Sequence, residues 1–172
     1  MTAALAALVA APEAQAAELY ECPPGATDII VDQFITELDD GSYQVDAATV
    51  GQVFPNGIPF IQTYSDFCIN INGNISFGQC VSTYTPDAIP GLAIPTIAPY
   101  FADVDLRPPQ GDIHLCVDTV GQRLMVTWDA VGYYSQKVDK LNSFQVILSH
   151  NDQAVCAAAD TFGVEFRYAQ LQ

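Results

Sequence analysis

The stretch Phe67-Cys68-Ile69-Asn70-Ile71-Asn72-Gly73-Asn74-Ile75-Ser76-Phe77 carries two short apolar alternations on either side of an Asn-Gly turn signal. Phe67, Ile69 and Ile71 share one face of an extended segment, and Ile75 and Phe77 share one face of the next. A two-residue Asn72-Gly73 turn would put these two apolar sets on opposite faces of the hairpin, whereas an odd-length loop keeps them together. The pattern therefore predicts a three-residue turn with Gly73 in the left-handed region.

Outward from this hairpin, strand signals dominate. Runs of β-branched and aromatic residues separated by Gly, Pro, Asn and Asp predict further strands at Ile113–Val117, Arg123–Trp128, Phe144–Ser149 and Val164–Tyr168. The nearest approach to a helical period lies at Asp28–Leu38, where Ile29, Phe34 and Leu38 would line one face of a short helix. The passage from Thr85 to Pro109 holds six of the eleven prolines and reads as an ordered crossover on a sheet edge. The expected fold is all-β: an antiparallel, sandwich-like single domain with little helix.

Composition limits what such a domain can do. The chain has 172 residues, of which 50% are hydrophobic and 15% charged, enough for a sizeable core. Five Lys and Arg stand against twenty Asp and Glu, a formal net charge of −15. Five cations cannot neutralise a phosphate track, so nucleic acid is excluded as a partner, and an anionic membrane surface with it. Residues 1–17 read as a secretory signal peptide, with an apolar run from Ala3 to Ala11 and a small-x-small cleavage pattern at Ala14-Gln15-Ala16. Residues 18–53 form a lead-in to the main domain, 54–172, and no later stretch is apolar enough to span a membrane.

Cys22, Cys68, Cys80, Cys116 and Cys156 form no CxxC pair and have no zinc-ligand spacing to His114 or His150. Behind a signal peptide they read as disulfide cysteines of an oxidising compartment. Cys68 and Cys80 are expected as diagonal neighbours across the hairpin, with Cys116–Cys156 as a second bridge and Cys22 left over.

Catalytic motifs are absent from the sequence. It contains no G-x-S-x-G elbow, P-loop or G-x-G-x-x-G, and an enzyme is not expected. Asp103 and Asp105 form a D-x-D pair whose carboxylates project from one face, about 7 Å apart, a calcium-ligand arrangement. The competing reading has these aspartates capping turn amides beside an Arg107 salt bridge. Trp128 reads as a core anchor with its indole N–H hydrogen-bonded. Of Tyr133 and Tyr134, one ring should pack and the other face solvent, where it would suit partner contact.

Taken in order, Ile71–Phe77, Thr85-Pro86, the segment Ile97-Ala98-Pro99-Tyr100-Phe101-Ala102-Asp103-Val104-Asp105, Val126–Tyr134, Asn142–Leu148 and Phe166-Arg167-Tyr168 resemble the nidogen-like extracellular (NIDO) domain. The stretch between Cys116 and Val126 is shorter than in longer members of that family. The resemblance implies a secreted or cell-surface β-rich module of cell–matrix adhesion, without catalytic residues. The expected function is a non-catalytic extracellular interaction domain, with an extracellular protein or glycan as partner and no cofactor unless calcium. The alternative is a calcium-dependent carbohydrate-binding module using Asp103 and Asp105 with an exposed Tyr133 or Tyr134.

Overall fold

The structure, a computed structural model, describes residues 18–86, 93–107, 111–150 and 162–172. The expected signal segment, 1–17, and Cys156 lie outside the described residues. In chain order the strands are β1 (Thr27–Ile30), β2 (Ser42–Val45), β3 (Ile58–Pro59), β4 (Thr63–Tyr64), β5 (Phe67–Asn70), β6 (Asn74–Ser76), β7 (Thr96–Ile97), β8 (Asp112–Asp118), β9 (Arg123–Tyr133), β10 (Lys137–His150) and β11 (Phe162–Gln170). They form a five-stranded sheet in the order β1-β8-β9-β10-β11, a four-stranded sheet β2-β5-β6-β7 and a small β3-β4 hairpin. Every pairing is antiparallel. The all-β sandwich read from the alternation is the observed architecture, and each of the four later strands appears, with β9 and β10 extended well beyond their expected ends.

The β5–β6 turn has the expected form. Asn70 faces Asn74 across the ladder, leaving Ile71, Asn72 and Gly73 as a three-residue loop, and Gly73 has φ +78°. Close approach adds a second reason for glycine: a Cβ at this position would lie 1.7 Å from the Tyr100 carbonyl oxygen. Ile69 and Ile75 are partners on the inward face, completely buried with Ile71, Phe67 and Phe77 in one continuous core.

The opposing sheet supplies Leu115, Val126, Trp128, Phe144 and Val146 to that core. Trp128 is the joint between the layers. Its indole N–H donates to the Ile71 carbonyl at 3.1 Å, and its ring stacks on Phe144 with centroids 5.1 Å apart. A buried indole N–H needs an acceptor, and here the acceptor is the turn of the facing sheet.

Two local expectations are corrected. The helix proposed at Asp28–Leu38 is instead strand β1, paired with β8, followed by a single 3-10 turn at Asp32–Phe34. The ladder prevails because β8 offers a free edge: the Val31 N–H donates to the Ile113 carbonyl, and Asp32 accepts from the Ile113 N–H. Phe34, which a helix would have buried, is exposed. A short helix, Ala47–Gly51, lies instead behind Asp46, whose carboxylate accepts from the Thr49 N–H at 2.8 Å as an N-cap.

The bridges are Cys68–Cys80, as expected, and Cys22–Cys116 in place of Cys116–Cys156. Residues 113, 115 and 117 point into the core, so Cys116 faces outward from β8, and the segment from Glu18 to Ala26 runs across that outer face. There the Gln145 side chain holds the Tyr20 backbone by both its N–H and its carbonyl, and the Arg167 guanidinium lies 3.6 Å from the Tyr20 ring centroid. Residues 18–26 are thus a strap on the five-stranded sheet, and the strap brings Cys22 to Cys116.

Trp128→Ala should cost about 3–5 kcal/mol in chemical denaturation, because it opens a cavity and leaves the Ile71 carbonyl without its donor. Gly73→Ala should cost at least about 2 kcal/mol through combined left-handed strain and collision with Tyr100. Ala130 interrupts β9 at φ +50° where the β9–β10 register slips; Ala130→Gly should therefore stabilise by about 0.5–1 kcal/mol, read as a raised melting temperature.

Candidate functional site

The β9–β10 hairpin runs past the sandwich and turns at Tyr134, Ser135 and Gln136, with Tyr133 and Lys137 as its last cross-strand pair. Ser135 and Gln136 both have positive φ, at 65° and 57°, an uncommon state for non-glycine residues that needs outside support. The support comes from the D-x-D segment. The Tyr134 N–H donates to the Asp103 carbonyl at 3.1 Å, and the Gln136 N–H donates to the Asp105 carboxylate at 2.8 Å. The two sequence features singled out separately, the aspartate pair and the tyrosine pair, therefore meet at one place.

Asp105 is completely buried and accepts four hydrogen bonds. One oxygen takes the Arg107 backbone N–H at 3.0 Å and its Nε at 2.9 Å, and the other takes Arg107 Nη2 and the Gln136 N–H. Arg107 Nη2 also reaches Asp39 at 2.9 Å. Such a carboxylate has its lone pairs occupied by protein donors. The geometry matches the turn-capping reading of Asp105, with its Arg107 salt bridge. Among the described residues, no three His, Cys, Asp or Glu side chains are grouped to hold one.

The D-x-D segment is itself held from below by the β5–β6 turn. Asn72 is buried; its side-chain carbonyl accepts from the Val104 N–H at 2.9 Å, and its amide donates to Asp40 at 2.9 Å and to the Thr83 carbonyl. Asn70 donates to Asn74 and Ser76 and accepts from the Val81 N–H. These residues went unremarked in the sequence, although the alternation of Asn70, Asn72, Asn74 and Ser76 with isoleucines was visible. The polar face of the hairpin is buried too, and it organises the loops that cross it.

At the tip, the Tyr133 hydroxyl donates to Asp139 at 2.9 Å. That bond to a carboxylate is the main cause holding the phenol proton and raising its pKa. The Lys137 ammonium sits 5.2 Å from the Tyr133 ring and 5.8 Å from the Tyr134 ring. Tyr133 is half-buried and Tyr134 is 63% exposed.

The acidic groups behind the tip titrate in opposite directions. Burial, and then the neighbouring carboxylates, raise Asp39 and Asp103 above the usual range. Burial also works to raise Asp105, but the hydrogen bonds from Arg107 and Gln136 outweigh it and lower its pKa. Raised carboxyls favour the folded state as they gain protons, whereas the contribution of Asp105 is present above the ordinary carboxylate range and lost as pH falls through its depressed value. As pH falls from neutral the melting temperature should therefore first rise, while Asp39 and Asp103 take up protons, and then fall below about pH 4, where Asp105, Asp118 and Asp46 lose their hydrogen-bonded charge. Asp105→Asn should cost about 2 kcal/mol or more at neutral pH and flatten that acid limb, checked by thermal melts across the pH series.

A model of the NIDO-related family matches residues 32–162. No match was found among curated proteins or among solved structures. The matched span starts at the 3-10 turn after β1 and takes in the four-stranded sheet, strands β8 to β10 of the five-stranded one, the Asn72 turn, the D-x-D segment and the tyrosine hairpin. It covers most of the 172 residues, and the chain belongs to the NIDO-related family.

Proposed function

We propose that this chain is a non-catalytic extracellular interaction domain of the adhesion type, and that it engages its partner through the pinned hairpin carrying Tyr133 and Tyr134. The observation that carries the reading is a solvent-exposed Tyr134 on a turn fixed by a buried carboxylate. An exposed aromatic on a rigid support loses little conformational entropy on binding, which is what contact residues require. The two disulfides and the family fit an oxidising, extracellular setting.

A cleft of about 370 Å³ between the strap and the outer face of β8 and β9 contains His114 and Thr127. His114 is paired with Asp28 at 3.2 Å, but the Thr127 hydroxyl accepts from Gln145, and no hydrogen bond joins it to the imidazole in the described structure. A nucleophile needs its base within reach, and this pair reads as surface structure.

The partner is an extracellular protein or glycan that tolerates or complements a net charge of −15. Tyr134→Ala should reduce adhesion of chain-coated beads to a decellularised matrix layer by about tenfold or more, with the melting temperature unchanged. Adhesion equal to that of the parent would refute the hairpin as the contact surface. Calcium at about 1 mM should leave the melting temperature unmoved, because Asp105 is already saturated. A calcium-dependent rise, together with signal on a glycan array, would favour the carbohydrate-binding alternative.

A further inference from the structure

Among the described residues, strand β11 is the long edge of the five-stranded sheet with no further strand beside it. It has nine residues, whereas the other sheet-edge strands β1, β2 and β7 have four, four and two. Its one described strand partner is β10. Long edges are normally blunted with Pro, Lys or inward-pointing charge, and Phe162-Gly163-Val164-Glu165-Phe166-Arg167-Tyr168-Ala169-Gln170 contains no Pro and no Lys. Its ladder partners Leu148 and Val146 put Val164 and Phe166 on the core-facing side, yet these two are 42% and 44% exposed. Among the described residues, part of an apolar face is therefore exposed at this edge.

The charges on the opposite side of the strand indicate what covers it. Glu165 and Arg167 flank Phe166 symmetrically and already bond to each other at 2.7 Å. If two such strands pair antiparallel about a two-fold axis at Phe166, each Glu165 lies opposite Arg167 of the second copy. In the same register the two Phe166 side chains meet, and each Val164 lies opposite Tyr168 of the second copy. Opposite charges and aromatic or β-branched partners are the favourable cross-strand pairs, and a two-fold contact requires a self-complementary patch of this kind.

We infer that the β11 edge is a self-association surface, joining two copies of this chain into one continuous ten-stranded sheet through pairing centred on Phe166. The inference does not depend on the tyrosine hairpin. Its test is sedimentation velocity of the full, disulfide-oxidised chain from about 1 µM to about 1 mM, with expected concentration-dependent dimers. Glu165→Arg and Arg167→Glu should each weaken self-association by about tenfold or more, since each sets like charges across the axis. Mixed together, the two variants should form heterodimers, because every cross-strand pair is again of opposite sign. Arg167 also holds Tyr20 and the Glu18 carbonyl, so Phe166→Lys serves as a second disruption that leaves the strap contacts in place. A chain that stays monomeric throughout the range would overturn the inference. So would dimers that persist in Phe166→Lys, or folded charge variants that fail to combine on mixing.

Discussion

The hydrogen bond from the Trp128 indole to the Ile71 carbonyl ties the two layers together inside the buried core. The acceptor belongs to a turn whose next residues do two further things. Asn72 fixes the backbone of Val104, and Gly73 lets the Tyr100 carbonyl approach within a distance that no side chain would permit. One turn therefore sets the spacing of the sheets and the course of the segment that crosses them. Its position passes along the chain to Asp105, and from Asp105 to the tip of the tyrosine hairpin. Each step is a hydrogen bond made by a buried group, and each such group is costly to leave unpaired.

The scarcity of cations sharpens this picture. The sequence has three Arg and two Lys against twenty acids, and the three guanidinium groups each pair with a carboxylate: Arg107 with Asp105 and Asp39, Arg123 with Asp118, and Arg167 with Glu165. Lys137 lies against the tyrosine rings. The planar fork of Arg107 satisfies both oxygens of Asp105, whereas Arg123 and Arg167 each reach one oxygen of their carboxylate. The surface that remains is strongly acidic, and the positive charge is concentrated where a turn, a strap or an edge has to be held.

Legibility from sequence followed the range of the interactions. The Asn72-Gly73 loop length, the hairpin strands, the four long strands after it and the role of Trp128 were readable because period-two alternation and turn chemistry are local signals, whereas the short strands β2, β3, β4 and β7 carry too few residues to show a period. The strand at Thr27–Ile30 was missed because its identity depends on a free edge on β8, roughly 85 positions away. The pairing of Cys22 with Cys116 depends on a strap that crosses the outer face of the sheet, which no spacing rule discloses. At the candidate site, Asp103, Asp105, Tyr133 and Tyr134 were all visible as unusual residues, but their meeting was not. That Asp105 reaches across to the amide of Gln136 follows only from the register of the long hairpin.

The strap has a consequence for how the molecule is made. Cys22 and Cys116 are separated by 94 positions and Cys68 and Cys80 by 12, so during synthesis Cys22 emerges long before its partner. A thiol oxidised in order of arrival would join Cys68 first, and Cys80 would then be left without its native partner. The native connectivity depends on β5 and β6 closing their own short bridge early, or on later exchange between sulfurs. The early hairpin with its buried asparagine face would in this way protect the long-range crosslink from being formed with the wrong cysteine.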